Sequence, residues 1–170
     1  MGILRYLSIF FLSILIYGCG YRLIGKETHI PPGISSIAIS TFINKTYEPG
    51  IEIPFTRAFL KEFIEDRRLR VVSRNQADSI LEGVIKSFEL SSVSYDRSGF
   101  VMEYQTTIVM DIVLKKKTGE TIWSEENLSE TRWYRTSSNI LMSETNKFIA
   151  IEQTAKYIAE RIRNRFFYNF

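Results

Sequence analysis

Residues 100–114 restrict the fold more than any other part of the chain. Phe100, Met102, Tyr104, Ile108, Met110, Ile112 and Leu114 recur at every second position, interrupted only by Thr106, while Glu103, Gln105, Thr107 and Asp111 occupy alternate positions. Successive side chains of a β-strand point to opposite faces, so this segment packs along one side and is at least partly wet along the other. At about 3.3 Å per residue it extends roughly 50 Å, well past the common strand length, which predicts an elongated sheet.

The neighbouring segments read as partners of that strand. Asp96-Arg97-Ser98-Gly99 forms a turn, and residues 80–95 precede it as a second long strand in which Gly83 marks a bulge or a close contact. Lys115-Lys116-Lys117-Thr118-Gly119 turns the chain again. Residues 120–134 then return as a strand that is apolar only at Ile122-Trp123, Leu128 and Trp133-Tyr134, the polarity of a sheet edge. Residues 36–42 suit a first strand, residues 44–50 a loop and residues 69–72 a short strand. One helix opens near Pro54 and carries Phe55, Phe59 and Phe63 at spacing four, with Leu60 and Ile64 beside them. A last helix, N-capped by Ser143, repeats Phe148, Ile151, Ala155, Ile158, Ile162 and Phe166 every three or four residues. The order β-α-β-β-β-α predicts an α+β two-layer sandwich: two α-helices packed on one face of a mostly antiparallel four-stranded sheet with long strands.

The first 18 residues have a different character. Arg5 is followed by an apolar run to Tyr17, short for a bilayer span and suited to the core of a signal peptide. The run stops at Ile16-Tyr17-Gly18-Cys19, which resembles a bacterial lipobox, where the cysteine is acylated and becomes the new N-terminus. This reading divides the chain into a lipoprotein signal peptide (1–18), an acylated Cys19 with a Gly- and Pro-rich tether (19–35) and a single domain (36–170). Several acyl chains on one residue give a stable membrane anchor. Gly20 after the cysteine, in place of Asp, resembles the sorting pattern for outer-membrane delivery.

Charge and composition exclude several chemistries. Lys and Arg number 22 against 19 Asp and Glu, a net +3, far from the balance of a nucleic-acid-binding domain. One Cys and one His provide neither an internal disulfide nor a metal cluster. His29 falls in the tether, without the rigid frame a general base requires, and no Gly-rich phosphate loop with its lysine is present. The expectation is a protein that is not an enzyme and uses no metal or cofactor. The cations are more informative. Antiparallel pairing about the lysine turn makes paired residue numbers sum to about 235, placing Arg135 opposite Phe100 and Arg132 a few residues inward. Arg97, Arg132 and Arg135 then share one end of the sheet, and the lysine turn lies at the other. Guanidinium groups bind phosphate through forked, charge-assisted hydrogen bonds, and Trp133 and Tyr134 add aromatic surface, so a phosphorylated amphiphile matches both chemistries.

Six stretches, in order and spacing, carry a family likeness. They are Cys19-Gly20-Tyr21-Arg22-Leu23, residues 31–42, residues 44–51, Ala77-Asp78-Ser79-Ile80-Leu81-Glu82-Gly83, Glu103-Tyr104-Gln105 and Thr118-Gly119-Glu120-Thr121-Ile122-Trp123. Through them the chain resembles the LptE family, lipopolysaccharide-assembly lipoproteins of the Gram-negative outer membrane. The resemblance implies a non-catalytic lipoprotein that plugs the lumen of the LptD β-barrel, supports its assembly and helps pass lipopolysaccharide to the outer leaflet. It also implies a basic residue at a hairpin tip, within Arg-x-Gly-x-x-x-Glu-Tyr-Gln, that contacts lipopolysaccharide; Arg97, Gly99, Glu103, Tyr104 and Gln105 match that pattern. The family's second basic position falls around Ser143 and Glu144, neither of them basic, which leaves Lys147, Arg132 or Arg135 as substitutes. The alternative is a lipoprotein accessory of another envelope machine, such as an ABC-type lipid transporter.

Overall fold

The computed structural model describes residues 33–168. The leader, Cys19, His29 and the tether up to residue 32 lie outside these described residues. The elements are β1 (Ser36–Ile39), β2 (Ile43–Asn44), α1 (Glu52–Asp66), β3 (Arg70–Val71), β4 (Ser79–Tyr95), β5 (Val101–Lys116), β6 (Thr121–Arg135) and α2 (Ile140–Tyr168). No helix among the described residues is long and apolar enough to cross a membrane.

The fold is α+β with two helices, as expected, but its sheet has six strands and is mixed. The order is β3-β1-β4-β5-β6, with β2 also paired to β4. The three long strands are antiparallel, whereas β1 pairs parallel with β3 and β4, and β2 parallel with β4. A helical crossover returns the chain in its original direction, which makes β3 parallel to β1. The expected strand over 36–42 is broken instead into two short strands in one lane beside β4. Ile39 faces Leu81 and Ile43 faces Val84, so the lane holds one extra residue. That slack turns Phe42 into the core against Gly83. A Cβ on Gly83 would lie 2.5 Å from the Phe42 ring, which is the close contact the glycine signalled. The ring in turn packs on Phe55 and Phe59 at 6.5 and 4.9 Å between centroids.

The core lies between both helices and one face of the sheet. Phe55, Phe59 and Phe63 of α1 and Ile151, Ala155, Ile158, Ile162 and Phe166 of α2 meet Leu81, Ile85, Ile108, Met110, Ile112 and Leu114. Thr106, the one break in the alternation, is buried and donates its hydroxyl to the Arg132 carbonyl at 3.1 Å, so its burial leaves the hydroxyl satisfied. Four members of the expected apolar stripes depart from expectation, since Ile64 and Phe148 of the helices and Phe100 and Met102 of the strand pattern are exposed. For Phe148 the cause is length. The 15 residues of α1 span about 22 Å and the 29 of α2 about 43 Å, so the first turns of α2 run on without α1 beside them. The cap of α2 also differs from expectation. Asn139 accepts the Leu141 and Met142 N–H groups, at 2.9 and 3.4 Å, while Ser143 joins Ser137 by accepting its N–H and donating to its carbonyl. Asn and Ser are comparable caps, and the earlier one starts the helix a turn sooner.

The start of the domain is held by one carboxylate. Asp78 Oδ2 accepts the N–H and hydroxyl of both Ser35 and Ser36, at 2.8–3.0 Å. The Ser36 hydroxyl first, then the Ser35 groups, hold the Asp78 carboxyl down at about 2. A depressed carboxyl contributes stability that is fully present above its unfolded value near 3.9 and is lost as pH falls toward 2. Asp78→Asn is therefore expected to be less stable than the parent at neutral pH, with the difference shrinking between pH 4 and pH 2. Denaturation midpoints across that range test this, and a pH-independent gap would refute it.

A cationic hairpin and the groove beneath it

The hairpin between β4 and β5 is a turn held by its own hydrogen bonds. Asp96 Oδ1 accepts the N–H groups of Ser98 and Phe100 at 2.8 and 2.9 Å, the Asp96 N–H donates to the Phe100 carbonyl, and Gly99 takes φ of 84°. Side-chain acceptance by Asp and left-handed backbone at Gly are what such a turn requires. Arg97 stands exposed at its tip, and its side chain has no ion pair or hydrogen bond among the described residues.

The hairpin projects beyond β6. Arg135 ends β6 opposite Glu103, and Thr136 donates its N–H to the Met102 carbonyl. Arg135 was expected opposite Phe100; one residue of the difference comes from the turn, where Lys115 faces Thr121, and two come from irregularities in β6. Glu126 and Asn127 together face Asp111, with Asn127 at φ of 54°, a bulge fixed by the Asn127 N–H on Asp111 at 2.7 Å and by Lys86 on Asn127 at 2.6 Å. A further shift follows Leu114.

The three arginines thus share one end of the sheet without forming one cluster. Arg132 faces α2, with its guanidinium 5.0 Å from the Tyr157 ring centre and 3.6 Å from Glu130, which Arg161 also approaches at 3.4 Å. Arg135 lies on the opposite face beside Glu103 at 3.2 Å, with its side chain 85% exposed. It is roughly 15–20 Å along the strand direction from the tip. Lys147 of α2 contacts Glu48 and Glu144 at 2.8 Å each. Burial opposes its charge, but the hydrogen bonds to Glu144 and Glu48 outweigh that effect and hold its pKa above the ordinary lysine value. At the far end of the sheet, Lys115 and Lys116 pair with Glu82 and Glu120, and Lys117 donates to the Asn75 carbonyl.

Beneath the hairpin lies a groove of about 850 Å³, a feature that the alternation pattern did not reveal. Its sheet side presents Leu90, Phe100, Met102, Tyr104 and Tyr134, and its helix side includes Ser143, Glu144 and Lys147. The Tyr104 and Tyr134 rings lie 5.7 Å apart, and burial raises the Tyr134 hydroxyl above its usual pKa. The Arg97 tip lies between Asp96 and Gly99, both at the groove mouth. Positions 143 and 144, where the second family cation was sought, line this same groove, and Lys147 follows one turn later. The one exposed signal in sequence was Arg97 itself; the periodic apolar positions around it looked like core.

A two-helix layer covering part of a long-stranded mixed sheet defines a class of α+β domain found in bacterial lipoproteins. A putative lipoprotein from Caulobacter crescentus is similar with a TM-score of 0.55 and 12% identity, covering 74% of this chain and 87% of that one. Rare lipoprotein B from Shewanella oneidensis gives 0.50 and 17%, covering 75% and 91%. Lipoprotein B from Nitrosomonas europaea gives 0.50 and 16%, covering 85% and 91%. No curated protein matches in sequence. The family described as "LptE: Lipopolysaccharide-assembly" matches residues 34–166, and the chain belongs to that family.

Proposed function

We propose that this protein is a non-catalytic outer-membrane lipoprotein that plugs and helps assemble an LptD-like β-barrel, and that it assists lipopolysaccharide transport by contacting lipid A phosphates. The observation that carries the reading is Arg97, an unengaged guanidinium on a braced turn that projects past the rest of the sheet. Arg132, Arg135 and Lys147 are already engaged with carboxylates, so Arg97 makes the primary phosphate contact and the others act after exchanging partners. The uncovered sheet face supports the plug. It carries Glu89, Glu103, Thr107, Asp111, Thr131 and Arg135 among Val84, Val109, Val113 and Trp133, a mixed surface whose polar part suits the polar interior of a large barrel. In this reading residues 1–18 are removed, Cys19 is acylated and residues 19–35 tether the domain of 36–170 to the membrane.

The test is affinity capture of the tagged full chain from outer membranes under gentle detergent extraction. Recovery of a large β-barrel with an acylated Cys19 is expected. Capture of an ABC-type transporter, or of no barrel, would overturn the plug in favour of the alternative envelope role.

A further inference from the structure

We infer that the free edge of β6 and the flank of α2 beside it form a strand-addition site for an extended, acidic segment of a partner polypeptide. The site is separate from the Arg97 tip and does not rest on the reading of that residue as a phosphate contact.

Three observations carry it. The first is the edge itself. The Arg132 carbonyl accepts the Thr106 hydroxyl and the Thr136 N–H reaches the Met102 carbonyl, so even-numbered residues in this half of β6 direct their backbone groups to β5. Ser129, Thr131 and Trp133 direct theirs outward, where they have no partner among the described residues. The bulge at Glu126 and Asn127 protects the lower half of the edge, but residues 128–135 run without a register shift, roughly 26 Å of unprotected strand. The second is the wall beside that strand. A hollow of about 240 Å³ is lined by Trp133, Arg135, Asn146, Ile149 and Gln153 among others. It falls below the range of small-molecule sites and has the scale of a side chain. Trp133, Ile149 and Tyr157 are 64, 43 and 42% exposed along this flank. Open backbone groups with hollows for alternate side chains are the two requirements of strand addition. Charge, the third, selects the occupant. Arg132 and Arg161 share one carboxylate, Glu130, at 3.6 and 3.4 Å, longer than a good charge-assisted bond, and both Nε atoms are buried without an acceptor among the described residues. A second copy paired through this edge would set four guanidiniums against two carboxylates. Residues 20–32, with Arg22 and Lys26 against Glu27, likewise bring more cation than anion. An acidic partner strand balances the seam.

The experiment pans a display library of random peptides on the tagged full chain in mild detergent. Selected peptides are expected to share Asp or Glu at alternate positions among β-branched and aromatic residues. A synthetic peptide of that consensus should bind Arg161→Gln and Thr131→Pro about tenfold or more weakly than the parent, through loss of a charge-assisted bond and of an edge N–H respectively. Proline is tolerated on an outer strand where its nitrogen faces solvent, and melting curves verify folding. N-methylation of alternate peptide nitrogens reads the same backbone bonds from the other side, and decides alone should Thr131→Pro not fold: one parity should abolish binding and the other spare it. Lipid A binding by Thr131→Pro should match the parent, and a parallel loss would overturn the separation from the Arg97 tip. No acidic consensus, or parent affinity in either folded variant, would overturn the site. Dimerisation of the parent in sedimentation runs, abolished by Thr131→Pro, would also overturn it by assigning the edge to a second copy.

Discussion

Replacing Arg97 with Asp is expected to weaken lipid A binding roughly ten- to a hundredfold while the barrel still co-purifies. A charge-assisted hydrogen bond contributes about 1.5–3 kcal/mol, and the new carboxylate adds repulsion toward phosphate. The change should leave the fold intact, because Asp96 and Gly99 hold the turn and the Arg97 side chain has no bond among the described residues. Its effect on unfolding free energy should stay within about 0.5 kcal/mol, the usual range for surface positions. Arg135→Asp is the matched control. It removes the same charge from the same end, but from a residue already beside Glu103, so a smaller effect is expected. Binding titrations at two salt concentrations separate the two variants. Equal losses would mean that bulk charge, and not the tip, attracts the ligand; an unchanged Arg97→Asp affinity would remove that residue from the mechanism.

The largest stability effect is expected at the junction of the helices. Glu62 of α1 is 7% exposed and accepts a hydrogen bond from Arg163 of α2 at 2.7 Å, with Asp66 3.8 Å from the same guanidinium. Burial pushes the Glu62 carboxyl upward and Arg163 draws it back, the net direction being up. Arg163→Met leaves Glu62 buried without that cation. Breaking a buried pair typically destabilises by about 3–5 kcal/mol, and because Arg163 is one quarter exposed we expect less, about 2–3 kcal/mol. The sign of the pH dependence follows from the upward shift. The folded protein holds the Glu62 proton more tightly than the unfolded chain, so stability falls as pH rises through the carboxylate range, and it falls further once Arg163 is gone. Urea unfolding at pH 4 and pH 7 should show a larger deficit at pH 7. Adding Glu62→Leu should recover most of the loss, since the unpaired charge, not the missing attraction, is the main cost. A deficit below about 0.5 kcal/mol, or no recovery in the double variant, would contradict this account.

The parts of the fold that were legible in sequence are those with a long repeating signal. Alternation over residues 100–114 located β5 and its buried face, the Phe55, Phe59 and Phe63 spacing located α1, and the polarity of residues 120–134 placed β6 at the edge, as observed. The parallel part of the sheet was not legible, because β1, β2 and β3 hold four, two and two residues, too few to establish a period. Register failed at Asn127 for a related reason. A bulge is a single residue whose conformation depends on Asp111 and Lys86 from other strands. The place of Arg97 at a hairpin tip was legible from its turn, but the engagement of Lys147 depends on Glu48, distant in sequence and brought in by the loop after β2. The groove was hidden by the same alternation that revealed the strand. A period of two reports which face is apolar, and it does not report where the helices covering that face stop.

The entry point of the domain has a mechanical consequence. Ser35 and Ser36 are fastened at Asp78, next to the first residue of β4, and Arg97 lies past its last. A 17-residue strand separates them, roughly 50 Å. Any tie to a lipid leaflet acting through the residues before Gly33 therefore holds the molecule as a derrick is held, by its foot. A small tilt at that foot sweeps the guanidinium through a wide arc, so a snug enclosure around the boom would decide where the hook points.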